Sequence, residues 1–220
     1  MLAGAGMDLM TRAVWDPRYA GLMFVMWWTM MIAMMLPSAT PMILIFVKMN
    51  RKQGEAKAPY ALTAVFASAY LVAWAGFSIA AVATQWVLEA TGLLSSMLRS
   101  TDRTLGGGLL LVAGIYQFTP LKHTCLRHCR SPLSFILTRW RGGPAGAFRM
   151  GVEHGVFCIG CCWFLMALLF FGGVMNLYWI AGLALFVLVE KTVPAGHWLA
   201  NIVGVGLIIW GILTLAGIAS

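Results

Sequence analysis

The chain has 220 residues, room for one domain or two, of which 61% are hydrophobic and only 10% charged. With Gly counted and Tyr left out, about 70% is apolar, against roughly 45–50% in soluble globular chains. Too few polar side chains exist to clothe a surface in water, so a soluble monomer is excluded and lipid is the expected solvent.

The first stretch, Met1 to Arg18, carries Asp8, Arg12, Asp16 and Arg18 and lacks a compact apolar core before a small-residue cleavage site. It reads as a polar tail rather than a signal peptide. Five runs without Asp, Glu, Lys or Arg follow: 19–47, 58–88, 104–121, 154–189 and 192–220. Each reaches the roughly 18 residues that a membrane span requires. The fourth, 36 residues long, would extend about 54 Å as one helix, far more than a hydrocarbon core of about 30 Å. It is expected to fold back on itself at Gly172-Gly173, with Asn176 close by. The expectation is therefore an all-α polytopic bundle, a single integral membrane domain over 1–220, with about six spans near 21–47, 60–86, 104–119, 151–171, 174–190 and 195–217. A ligand-bearing loop, 120–149, joins the third and fourth.

With both termini outside, Lys48, Arg51, Lys52, Lys57, Lys122, Arg127, Arg130, Arg139, Arg141, Arg149 and Lys191 fall inside, and Arg12, Arg18, Arg99 and Arg103 outside. Eleven against four favours that orientation by the positive-inside rule. The net charge of +8 thus lies in short loops bordering spans. Anionic inner-leaflet headgroups are its expected partner, and nucleic acid is not.

The first span contains Trp27-Trp28 and then Met30, Met31, Met34 and Met35 before Pro37 and Pro41. Thioethers are uncharged soft donors suited to Cu(I), so the four Met are candidate transient metal stations; Met is equally a pliable apolar filler. Pro37 and Pro41 are expected to kink or break the helix.

All five Cys and all four His lie between 123 and 197. In the loop, Thr119 is a candidate N-cap and Pro120 a first helical residue, so 120–131 is expected to form a short interfacial helix that Pro132 closes. On it Leu121, Cys125, His128 and Cys129 share one face, with His123 nearby, while Lys122, Arg127 and Arg130 snorkel toward headgroups. At the start of the fourth span, His154, Cys158, Cys161 and Cys162 follow the same helical repeat, and Gly151 and Gly155 allow another helix to approach closely. Glu190 and His197 are placed at the same level, and together with Glu153 are candidate supporting or proton-accepting groups. Five thiols in a reducing compartment are poor candidates for structural disulfides. Thiolate with imidazole instead suits zinc, Cu(I) or an iron centre, and the thioethers of the first span turn the choice toward copper. The candidate ligands are His123, Cys125, His128, Cys129, His154, Cys158, Cys161 and Cys162.

Trp27 to Pro41, Tyr116 to Pro132, Gly151 to Met166 and the Glu190-Lys191 pair resemble, in order and spacing, the bacterial domain-of-unknown-function family described as predicted metal-binding integral membrane proteins. The resemblance covers most of the chain and implies metal binding and an inner-membrane location, but no reaction. The reading that results is a membrane protein that moves, stores or delivers a soft metal, more a binding protein than an enzyme, with a soluble metallochaperone or another membrane subunit as partner. Two other classes are a thiol-disulfide oxidoreductase using Cys158 and Cys161, and a non-catalytic subunit of a larger complex.

Overall fold

The computed structural model describes residues 15–52, 59–94, 98, 100, 102–193 and 196–218. The proposed tail before Trp15 lies outside them. The described chain is all α: α1 (Pro17–Lys52), α2 (Pro59–Ala90), α3 (Arg103–Tyr116), α4 (Pro120–Arg130), α5 (Pro132–Arg139), α6 (Gly143–Ala167), α7 (Leu169–Gly172), α8 (Leu177–Thr192) and α9 (Gly196–Leu215). Four of these, α1, α2, α6 continued through α7, and α9, are long and apolar enough to cross a membrane. A fifth candidate is α3 with α4, which meet at 65°. Large apolar side chains on the outer faces of these helices, among them Val25, Val72, Ile79, Val156 and Ile209, are exposed. Such a surface is suited to lipid and not to water.

Two of the six expected spans differ from expectation. Helix α3 ends at Tyr116 because Pro120 cannot extend it, and the chain restarts in a new direction with Thr119 as N-cap, its hydroxyl accepting from the Lys122 amide at 3.3 Å. Helix α8 is only 16 residues, or about 24 Å at 1.5 Å per residue. The fold-back before it is as expected: Gly173 takes φ of +93°, and Asn176 caps α8 by accepting from the Trp179 amide. The expected loop at 120–149 is instead mostly helical. The short helix expected from Pro120 forms as α4, and Pro132 and Pro144 also stand in the first turn of a helix, where a missing amide hydrogen is harmless. Pro37 and Pro41 likewise fail to break α1, which continues through both.

Glycine sets how closely the helices approach. A Cβ on Gly151 would lie 2.2 Å from the Phe66 carbonyl oxygen, and one on Gly155 2.5 Å from the Ala73 Cβ, so α6 packs directly on α2. Gly107, Gly114, Gly204 and Gly211 do the same for α3 on α9, where a Cβ on Gly114 would lie 2.9 Å from the Gly204 carbonyl. The core runs down one face of α1 through Trp27, Met31, Met34, Met35 and Ala39, a helical repeat turned toward α2 and α6.

Candidate metal centre

Helix α6 begins eight residues earlier than the expected start near Gly151. Cys158 therefore lies about 22 Å along it rather than about 10 Å, and is buried in the middle of the bundle. Its backbone carbonyl accepts from both the Cys161 and Cys162 thiols at 3.0 Å, which turns all three sulfurs toward one region. The Cys162 thiol also meets the Met35 thioether of α1 at 3.9 Å. From α4, the half-buried Cys129 brings its thiol beside those of Cys158 and Cys161. Cys125 packs against Gly160, where a Cβ would lie 2.8 Å from its sulfur, and the Tyr116 hydroxyl donates to the Gly160 carbonyl, clamping α3 to the same turn. Loop and span cysteines thus come together, from two helices that only the bend at Thr119 brings into register.

The lysine of the Glu190-Lys191 pair completes the cluster. Lys191 is buried, and its ammonium donates to Cys158 Sγ at 2.9 Å and to Ser38 Oγ at 3.3 Å. Ser38 Oγ in turn donates to the Met35 carbonyl at 2.8 Å. The Tyr70 hydroxyl lies 3.2 Å from Cys158 Sγ and 3.3 Å from the Met35 carbonyl oxygen. Cys158 is therefore a hub held by α2 and α8, whose Tyr70 and Lys191 are themselves bonded to α1. One turn away Glu190, fully buried, pairs with Lys122 of α4 at 2.6 Å, and Lys122 also donates to Gln117 at the bend. Lys122 was expected to snorkel, but the 65° turn carries it inward, where a buried cation requires a carboxylate. The pair fixes α4, and so Cys129, against α6 and α8.

The remaining candidates divide. His154 is buried one turn before Cys158, surrounded by Phe66, Tyr70 and Phe135 at 5.7 to 6.1 Å between ring centroids, and its Nδ1 has no hydrogen-bond partner. His128 stacks on Phe157 at 4.2 Å with Nδ1 bonded to the Thr124 carbonyl. His123 is half-buried on α4, while Leu121, expected on the shared face, is exposed. Met31 and Met34 are buried core residues and Met30 packs at its margin. Glu153 pairs with Arg139 and Arg149 at 3.4 Å near the surface, away from the thiols. His197 lies in α9, but its side chain is outside the described part. Among the described residues no three His, Cys, Asp or Glu side chains are arranged as a metal-binding group. The reason is local: Cys161 and Cys162 spend their hydrogens on the Cys158 carbonyl, and Cys158 is occupied by Lys191 and Tyr70.

Sequence reasoning missed Lys191, Tyr70 and Ser38. Lys191 was legible in part, since it follows a long uncharged run and borders Glu190; Tyr70 and Ser38 are single polar residues in apolar helices and carried no signal of their own.

The family model of PpoB2, described as a copper chaperone, matches residues 24–214. The chain belongs to this copper chaperone family. That match spans α2 through α8 whole, with most of α1 and α9, and includes each of the five cysteines. Copper is therefore the metal against which the thiol cluster has to be judged. No curated protein and no solved structure matches the chain.

Proposed function

We propose that this copper chaperone family member holds Cu(I) inside the bundle on a sulfur site centred on Cys158 and passes it on through Cys129. Cys161, Cys162 and the Met35 thioether are the neighbouring donors, and His154 is the nearby imidazole. The observation that carries this reading is the meeting of four thiols and one thioether from three helices in a buried region. Thiolates and thioethers prefer Cu(I), whereas zinc and iron sites draw on three or four fixed donors, which are not set in that geometry among the described residues. Cys129, half-buried on α4, is the thiol from which metal can be exchanged with a donor or acceptor outside. His123, Cys125 and His128 on the same helix line that route.

The wider setting is part of the proposal. The chain is a multi-pass protein of the bacterial inner membrane, with its Lys- and Arg-rich segments, including α4, on the cytoplasmic side against anionic headgroups. Six crossings result if the bent α3–α4 pair and the short α8 both traverse the bilayer, and both termini are then outside. A soluble metallochaperone or a second membrane subunit is the exchange partner. The test is metal content of detergent-purified chain loaded with Cu(I) under reducing conditions. About one equivalent or more is expected in the wild type and less than a tenth of that in Cys158→Ser; a wild type that retains less than about 0.1 equivalent overturns the proposal.

A further inference from the structure

Lys191 adds a fixed positive charge to the cluster, and that charge has a consequence for which ions are held. Among the described residues the other buried lysine, Lys122, is neutralised by Glu190. Lys191 has no such carboxylate among its hydrogen-bond partners; they are Cys158 Sγ and the Ser38 hydroxyl, with Cys129, Cys161 and Cys162 close by. A charge this deeply buried has to be balanced locally, and the nearest atoms in position to do so are sulfurs, since the adjacent Glu190 carboxylate is already paired with Lys122.

We infer that Lys191 is a specificity-determining residue that makes the Cys158 site select monovalent soft ions over divalent ones. This rests on the copper-binding reading above. A monovalent ion held by two thiolates forms a complex of charge −1, and the Lys191 ammonium brings the total to zero. A divalent ion on the same two thiolates leaves a buried charge of +1. A third thiolate would cancel it only by breaking a further thiol from its hydrogen bond, since Cys161 and Cys162 both donate to the Cys158 carbonyl. In a low-dielectric interior an uncancelled charge is costly, so the neutral combination is the one retained. Met35 contributes a donor without altering this balance, because a thioether carries no charge.

The test uses Ag(I), a redox-inert monovalent probe, and Cd(II), a divalent one, titrated separately into the full chain in detergent against chelators of known affinity. The wild type is expected to favour Ag(I), and Lys191→Met to shift the ratio of the two affinities at least tenfold toward Cd(II), while Lys191→Arg stays within threefold of wild type. Ser38→Asp, which sets a carboxylate beside the ammonium without removing it, is expected to shift the ratio in the same direction; it decides the matter if Lys191→Met does not elute as a monodisperse species. A ratio within threefold of wild type in Lys191→Met, or in Ser38→Asp where that variant stands in, overturns the inference, and so does an equal shift in Lys191→Arg. A wild type that binds neither Ag(I) nor Cu(I) instead overturns the copper-binding reading itself.

Discussion

Two polar clusters are buried in the same apolar bundle, and they are built on opposite principles. At the Gln85 end of α2, Trp27 Nε1 donates to Gln85 Oε1, Gln85 Nε2 to one oxygen of Glu89, and Trp15 Nε1 to the other, each at 2.8 Å. Every donor there is used by the cluster itself, as buried polar groups normally are. At the Cys158 end, the sulfur accepts from a lysine and shares a hydrogen bond with a tyrosine hydroxyl, while His154 Nδ1, Gln117 Nε2 and Glu190 Oε2 accept or donate no hydrogen bond. The closed chain ties α1 to α2 and has nothing to offer a ligand. The open cluster leaves buried polar atoms unsatisfied, which costs stability.

The comparison can be broken in four places. Cys158→Ser is expected to lower copper content at least tenfold while the melting temperature of the metal-free chain moves little; retained copper would remove the hub from its assigned place. Glu190→Ala strands the Lys122 ammonium in the core and is expected to destabilise the chain by about 3–5 kcal/mol, measured by denaturant unfolding in detergent. The double variant Lys122→Met, Glu190→Leu should recover much of that loss, which separates charge from packing. Gln85→Leu leaves the Trp27 indole hydrogen unsatisfied, at a cost of about 1–3 kcal/mol, with copper content unchanged; a loss of copper there would join two clusters that are held to be independent. Thr119→Ala removes the cap of the helix that carries Cys129, a loss of about 1 kcal/mol, and is expected to slow copper transfer to an external chelator more than it lowers copper content.

What could be read from the sequence follows the range of the forces involved. Apolar runs, the fold-back at Gly172-Gly173 and the cap at Thr119 are local features, and each is found where its residues require it. The close approach at Gly151 and Gly155 was also legible, since two small residues one turn apart make a flat helix face. Proline was read in part: Pro120 starts the short helix expected of it, but Pro132 and Pro144 each start a further helix as well, so the rest of 120–149 is helical too. The site residues with the longest reach were the least visible. Lys122 and Lys191 look like interface anchors at the ends of apolar runs, and only the angle between α3 and α4 together with the position of α8 shows that both point inward. Glu89, likewise, has the appearance of a solvated loop residue, yet it accepts two hydrogen bonds that close the second cluster.

X-ray absorption at the copper edge of the loaded full chain, beside Cys158→Ser, tests the central claim most directly. A first shell made of sulfur in the wild type, with copper lost from the variant, is the predicted result. A first shell dominated by nitrogen or oxygen, or one that is identical in the variant, would place the metal elsewhere and contradict the account.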